Sequence, residues 1–135
     1  MISLFQSYPL PASLKTLDLS CNPEIGDRGF KILLFKIKFP ALKVLRLGGI
    51  SSGCSLTLES LRAIYHLAGD QRKIPTDHFF ASLKVLDISW NPIDEKGLNY
   101  VCMHYMLFKH LKELDMTRCN FLPENLSETL SYSSK

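Results

Sequence analysis

Apolar positions recur along this chain in one fixed arrangement. In residues 83–98, Leu83, Leu86 and Ile88 alternate with polar positions, Asn91 follows three residues later, and a polar turn leads to Gly97. The same pattern appears at Leu14, Leu17, Leu19 and Asn22, followed by Pro23, Ile25, Asp27 and Gly29. It returns as Leu42, Leu45, Leu47 and Ile50, and again as Leu111, Leu114, Met116 and Cys119. The first and last intervals are 28 residues; the middle one is 41, one period plus a 13-residue surplus. Within each unit the alternation, as in Thr16, Asp18 and Ser20 between the leucines, is that of a half-buried strand. Helical spacing follows: Phe30, Leu33, Leu34 and Ile37 in the first unit, with Pro40 closing it. Leu58, Leu61, Ile64, Tyr65 and Ala68 predict a helix from about Thr57. Leu98, Val101, Cys102, Tyr105 and Phe108 predict one starting near Asp94 and Glu95.

The punctuation between elements adds detail. Asn22 is expected to bond backbone groups in its turn, and stacked units can link such amides into a ladder. That ladder is expected to break in the second unit, where Gly48, Gly49 and Ile50 replace the polar residues, and Ser51 to Cys54 reads as a looser turn. Asp27 is placed to cap the first helix. The surplus falls on about 66–80, whose charges, Gly69 and Pro75 read as a loop on a binding face or a mobile one. Residues 1–13 hold no strand and are expected to cap the first unit or complete an earlier one. Pro123 and Glu124 suit the first turn of a short helix with Leu126 and Leu130, and the polar end after it leaves room for the array to continue in a longer parent or a partner.

The pattern L-x-x-L-x-L-x-x-N at this period resembles leucine-rich repeats, and the long repeats with N-P-x-I-x-D/E-x-G resemble the ribonuclease-inhibitor-like type. The resemblance covers residues 14–130. It implies an α/β fold, a short curved solenoid with parallel strands on the concave face and helices on the convex face. The whole of 1–135 is then a single domain with repeats starting near 14, 42, 83 and 111.

Composition narrows the class. Apolar residues at 46% and charged ones at 21% suit a globular chain. A formal charge of +3, with no long run of Lys and Arg, gives no footing for nucleic acid. No apolar run reaches the roughly 20 residues of a membrane span, and the first residues lack a signal peptide's basic start and apolar centre. Cys21, Cys54, Cys102 and Cys119 form no C-x-x-C pair and read as reduced structural thiols, with Cys21 and Cys119 at or beside the Asn position. The expected location is intracellular, cytoplasm or nucleus, so the sequon at Asn125 is discounted.

Residues between the leucines line the strand surface in columns. Asp18, Arg46, Asp87 and Asp115 share one column; Thr16, Val44, Val85 and Glu113 precede it; Ser20, Gly48, Ser89 and Thr117 follow. Beyond lie Cys21, Gly49, Trp90 and Arg118. Adjacent aspartates repel, and the fold as read from sequence does not require them, so Asp18, Arg46, Asp87, Trp90, Asp115 and Arg118 form the candidate partner-binding set. Trp90 either joins that face or packs over the Pro92 turn. His66, His78, His104 and His110 lack metal-ligand spacing, and no nucleophile or phosphate-loop motif is present. Asp87 and Asp115 on an open face lack the desolvation that separates an acid from a base. The expected function is therefore non-enzymatic and free of cofactor or metal: a protein–protein interaction scaffold or adaptor whose partner is another protein with a basic surface. The alternative is a substrate-receptor subunit of a ubiquitin ligase, which the lack of an F-box-like helix block before residue 14 disfavours.

Overall fold

A computed structural model describes residues 10–50 and 52–119. The alternating segments form four short strands, β1 (Thr16–Asp18), β2 (Val44–Arg46), β3 (Val85–Asp87) and β4 (Glu113–Asp115). They pair in parallel and in chain order to make one sheet. The register is that of the sequence repeat: Leu17, Leu45, Leu86 and Leu114 stand side by side, and so do Asp18, Arg46, Asp87 and Asp115. A one-residue slip would turn every leucine out to water, so burial of the leucine row fixes the register.

Between strands the chain forms α1 (Gly26–Lys36), α2 (Leu58–Ala68), the short α3 (Phe79–Ser82), and α4 (Asp94–Met103), followed by a 3-10 turn at Tyr105–Leu107. Helix α2 packs between α1 and α4. Phe30, Leu33 and Leu34 of α1 and Leu61, Ala63 and Ile64 of α2 are buried in one core with the strand leucines. Ile37 lies past the end of α1 and is half-buried. Tyr105, expected on the inner face of the third helix, is exposed, and Leu107 fills the core instead, because the 3-10 turn rotates the chain after Met103.

Each strand is entered through the same turn. The Leu14, Leu42, Leu83 and Leu111 amides donate to the carbonyls of Pro11, Phe39, Phe80 and Phe108, three residues earlier. The three phenylalanines are buried in a row, and Phe80 meets Phe108 edge to face with centroids 6.2 Å apart. Sequence reasoning missed this row, although the signal is a Phe three residues before the first leucine.

Two expectations are corrected. Asp27 does not cap its own helix: its carboxylate accepts from the Thr57 amide at 2.9 Å, the Thr57 hydroxyl at 2.6 Å and the Ser60 hydroxyl at 2.6 Å. It therefore braces the start of α2, one repeat away, where a carboxylate is favoured at a helix N-terminus; the cap itself is Thr57, whose hydroxyl accepts from the Glu59 amide at 3.2 Å. Nor does Ile50 occupy the Asn position of the second repeat. Ile50 is 81% exposed, and the fully buried Cys54 takes that place. The Cys54 thiol donates to the Leu19 carbonyl at 3.2 Å, as Cys119 does to Ile88 at 3.2 Å and the Asn91 amide does to Leu47 at 2.9 Å. The surplus is thus divided, four residues before Cys54 and nine between Cys54 and Leu83.

The larger part is not a bare loop over 66–80. His66 to Ala68 belong to α2, and Phe79 and Phe80 are buried in α3. Between them Ile74 is buried, and His78 braces the segment: its Nδ1 accepts from the Phe80 amide at 2.9 Å, so its Nε2–H donates to the Leu34 carbonyl at 2.7 Å. The expected cap within residues 1–9 and the expected helix around Leu126 and Leu130 lie outside the described residues.

Candidate binding face

The column Asp18, Arg46, Asp87 and Asp115 is continuous across the sheet. Its charges are partly compensated: the Arg46 guanidinium lies 3.9 Å from the Asp87 carboxylate and also draws on Asp18. The aspartates have a use within the fold, contrary to the expectation from sequence. Asp18 accepts from the Ser20 amide, Asp87 from the Ser89 amide and hydroxyl, and Asp115 from the Thr117 amide and hydroxyl. Each closes the turn that ends its strand, as short Asx side chains do. Ser20 bonds, more than Arg46, hold the Asp18 carboxyl below its ordinary value.

Gly48 occupies the Ser/Thr position of the second repeat for a steric reason. A Cβ there would lie 2.4 Å from Ser89 Oγ and 2.5 Å from Asp87 Oδ1, so any other residue would push aside the hydrogen-bonded Asp87 and Ser89 side chains.

The next column turns in the left-handed region. Cys21, Trp90 and Arg118 have φ of 64°, 62° and 58°. Few side chains adopt this conformation cheaply, and here the backbone is held across repeats: the Cys21 amide donates to Gly48, and the Trp90 amide to Thr117, which pins both turns. Cys21 is exposed, whereas Cys54 and Cys119 are buried. Trp90 is half-buried, with the exposed Arg118 guanidinium 5.6 Å from its ring centre. A cation over an indole face at an exposed site contributes roughly 0.5–1 kcal/mol. The structure thus brings all six candidate residues onto the strand side and the turns that end it. Arg46 pairs with Asp87, and Arg118 with Trp90.

Asn91 holds the turn beneath this face. It is 1% exposed; its Nδ2 donates to the carbonyls of Leu47, Ile88 and Ser89, and its Oδ1 accepts from the Cys54 and Leu56 amides. Among the described residues the Asn22 side chain donates within its own turn, to the Leu19 and Ser20 carbonyls. Burial pushes the Cys54 thiol up and the Cys119 thiol up to about 12, which leaves both protonated as hydrogen-bond donors and poor nucleophiles. His104 stacks on Tyr65 and Tyr100, with centroids 4.7 and 4.5 Å away, and His110 bonds the Phe80 carbonyl. Among the described residues no group of three His, Cys, Asp or Glu side chains could hold a metal ion, and no helix is long and apolar enough to cross a membrane.

Comparison with known proteins agrees with this geometry. The profile of the family described as Leucine Rich repeat matches residues 11–31 and 81–102, the first and third repeats. The chain is 32% identical over 99 residues to Monocyte differentiation antigen CD14 of Mus musculus. That alignment covers 64% of this chain and only 27% of the mouse protein. The repeat spacing, the parallel ladder in repeat register and both matches support a leucine-rich-repeat reading of a small α/β stack whose described residues hold four parallel strands in one sheet.

Proposed function

We propose that the chain is a non-enzymatic interaction scaffold or adaptor that binds another protein through the concave, strand-lined face of a long-repeat, ribonuclease-inhibitor-like solenoid. The observation that carries this reading is the Trp90–Arg118 pair at the end of the Asp18–Arg46–Asp87–Asp115 column. Trp and Arg are the side chains most often found at interaction hot spots, and a row of three carboxylates to one guanidinium favours a basic partner surface. The fold supports the class, since leucine-rich repeats generally mediate protein–protein contacts. An intracellular setting is part of the proposal and is consistent with buried thiols at Cys54 and Cys119 in place of amides.

The test is affinity capture from cell extract with the wild type, a Trp90→Ala/Arg118→Glu variant and an Asp87→Asn/Asp115→Asn variant. The asparagines keep the oxygen that closes each turn and remove only the charge. A partner held by the wild type and released by both variants supports the reading; the same partners on all three baits would sink it.

A further inference from the structure

We propose that a second surface, the edge of the sheet where the strands begin, binds a short acidic polypeptide segment that carries one apolar anchor side chain. The residue after the first leucine of every repeat is a lysine: Lys15, Lys43, Lys84 and Lys112. The backbone stacks them without interruption, as the Lys43, Lys84 and Lys112 amides donate to the Lys15, Lys43 and Lys84 carbonyls, each at 2.8 Å. With neighbouring strands about 4.8 Å apart, the four stems leave one row about 14 Å long. Lys15, Lys43 and Lys112 are exposed and Lys84 is half-buried.

This row contrasts with the aspartate column. Each aspartate closes a turn, whereas among the described residues none of the four lysine side chains has a hydrogen-bond or ion-pair partner; the ion pairs found there are Arg46–Asp87 and Arg62–Glu59. Like charges spaced within the roughly 8 Å screening length repel, so the row opposes the fold it sits on. Connections that lead from a helix to the next strand reach the same edge and add Lys38 and Lys109. Glu24, Asp94 and Glu95 lie at the opposite edge, where strands lead into helices. Asp70 and Asp77 also lie in the connection from α2 to β3, and Glu113 follows Lys112, so the basic character of this edge rests on the lysine row itself.

A cavity of about 340 Å³ opens on this edge, between the end of α1 and the segment before α3. Its apolar wall includes Leu34, Phe35, Ile37, Phe39, Pro40 and Phe79, and its polar lining is Lys38, Asp77 and His78, so the cavity takes the apolar anchor and the lysine row the carboxylates. Pro40 is three residues from Lys43, so cavity and lysine row lie within about 10 Å along the chain. The volume suits one large apolar side chain, and recessed apolar pockets with a few polar groups are the usual form of ligand sites. Its walls Leu34, Phe39 and Phe79 are buried, with Phe35 and Pro40 exposed at the rim, whereas a bilayer is entered by a surface of protruding large apolar side chains. The row itself carries neither arginine nor an adjacent aromatic, the side chains that grip and stack single-stranded nucleic acid.

The test is fluorescence polarisation of the full chain at low salt with a labelled oligoglutamate peptide that has one central phenylalanine. Binding that weakens at least tenfold in Lys43→Glu/Lys84→Glu, and several-fold when the peptide's phenylalanine becomes alanine, is the expected result. Trp90→Ala/Arg118→Glu should bind the peptide like the wild type, which separates this surface from the strand face. If the charge reversal disturbs the circular dichroism spectrum, Lys43→Gln/Lys84→Gln replaces it with the same expectation of loss. No binding, equal binding of the alanine peptide, or tighter binding to polyphosphate or phosphatidylserine vesicles would overturn the proposal.

Discussion

Replacing Asn91 by alanine tests the idea that one buried amide joins the second and third repeats. The substitution removes five hydrogen bonds and leaves three carbonyls and the Cys54 and Leu56 amides without their partner. At about 0.5–1.5 kcal/mol net per bond, and more for groups left dry, the expected loss is about 3–5 kcal/mol. A domain of this kind has only about 5–15 kcal/mol of stability in all, so the variant should be severely weakened but partly foldable. With a urea slope near 2 kcal/mol per molar, the midpoint should fall by about 2 M. Asn91→Cys, the residue that stands at this position in the second and fourth repeats, keeps a donor toward Leu47 and should lose less. Asn91→Asp keeps the acceptor of the Cys54 and Leu56 amides but turns a second carboxylate oxygen against the Leu47, Ile88 and Ser89 carbonyls, and should match the alanine. The assay is urea unfolding followed by circular dichroism, with amide exchange at Cys54 and Leu56 as the local readout. A midpoint within a few tenths of a molar of wild type, with both amides still protected, would refute the bridging role.

Other consequences can be checked with the same instruments. Asp27→Ala should lose about 1–2 kcal/mol, since it removes the bonds that brace the Thr57 cap of α2, and amide exchange at Thr57 should accelerate. Burial pushes the Asp27 carboxyl up, but bonds from Ser60 and Thr57 together hold it below its ordinary 3.8. Its contribution is therefore present above pH 3.8 and lost as pH falls through the lower folded value; wild type should lose more stability than Asp27→Asn on titration into that range. His110 adds a separate pH effect. Burial, aided by Lys84, holds it below 6.5, so the unfolded chain takes up the proton first and stability falls as pH drops below 6.5; His110→Gln should flatten that slope in urea midpoints. Gly53→Ala would place a Cβ 2.7 Å from Asn91 Oδ1 and should reproduce part of the Asn91→Ala loss, visible as faster exchange at Cys54.

Much of this molecule is written along the chain. Leucine spacing determined the strands, their order and their register, because a period-2 face and a fixed 28-residue repeat admit one way of burying every leucine row. The placement of Asp18, Arg46, Asp87 and Asp115 in one column was legible for the same reason, since a residue's column follows from its offset within the repeat. Contacts between repeats were not legible, because they depend on which neighbour lies across the gap. Asp27 reads as a local cap and instead braces the cap residue of the next helix, thirty residues on. Ile50 sits at the counted Asn position, yet a protein core admits the small thiol of Cys54 at the Leu19 carbonyl and leaves the larger isoleucine outside. The aspartates look dispensable until the turn amides they accept are placed beside them, and the lysines look like ordinary surface charge until the ladder stacks them. Sequence dictates position within one repeat by local periodicity; only the tertiary structure decides what one repeat's polar groups meet in the next, because hydrogen bonds and charge are settled by distance in space.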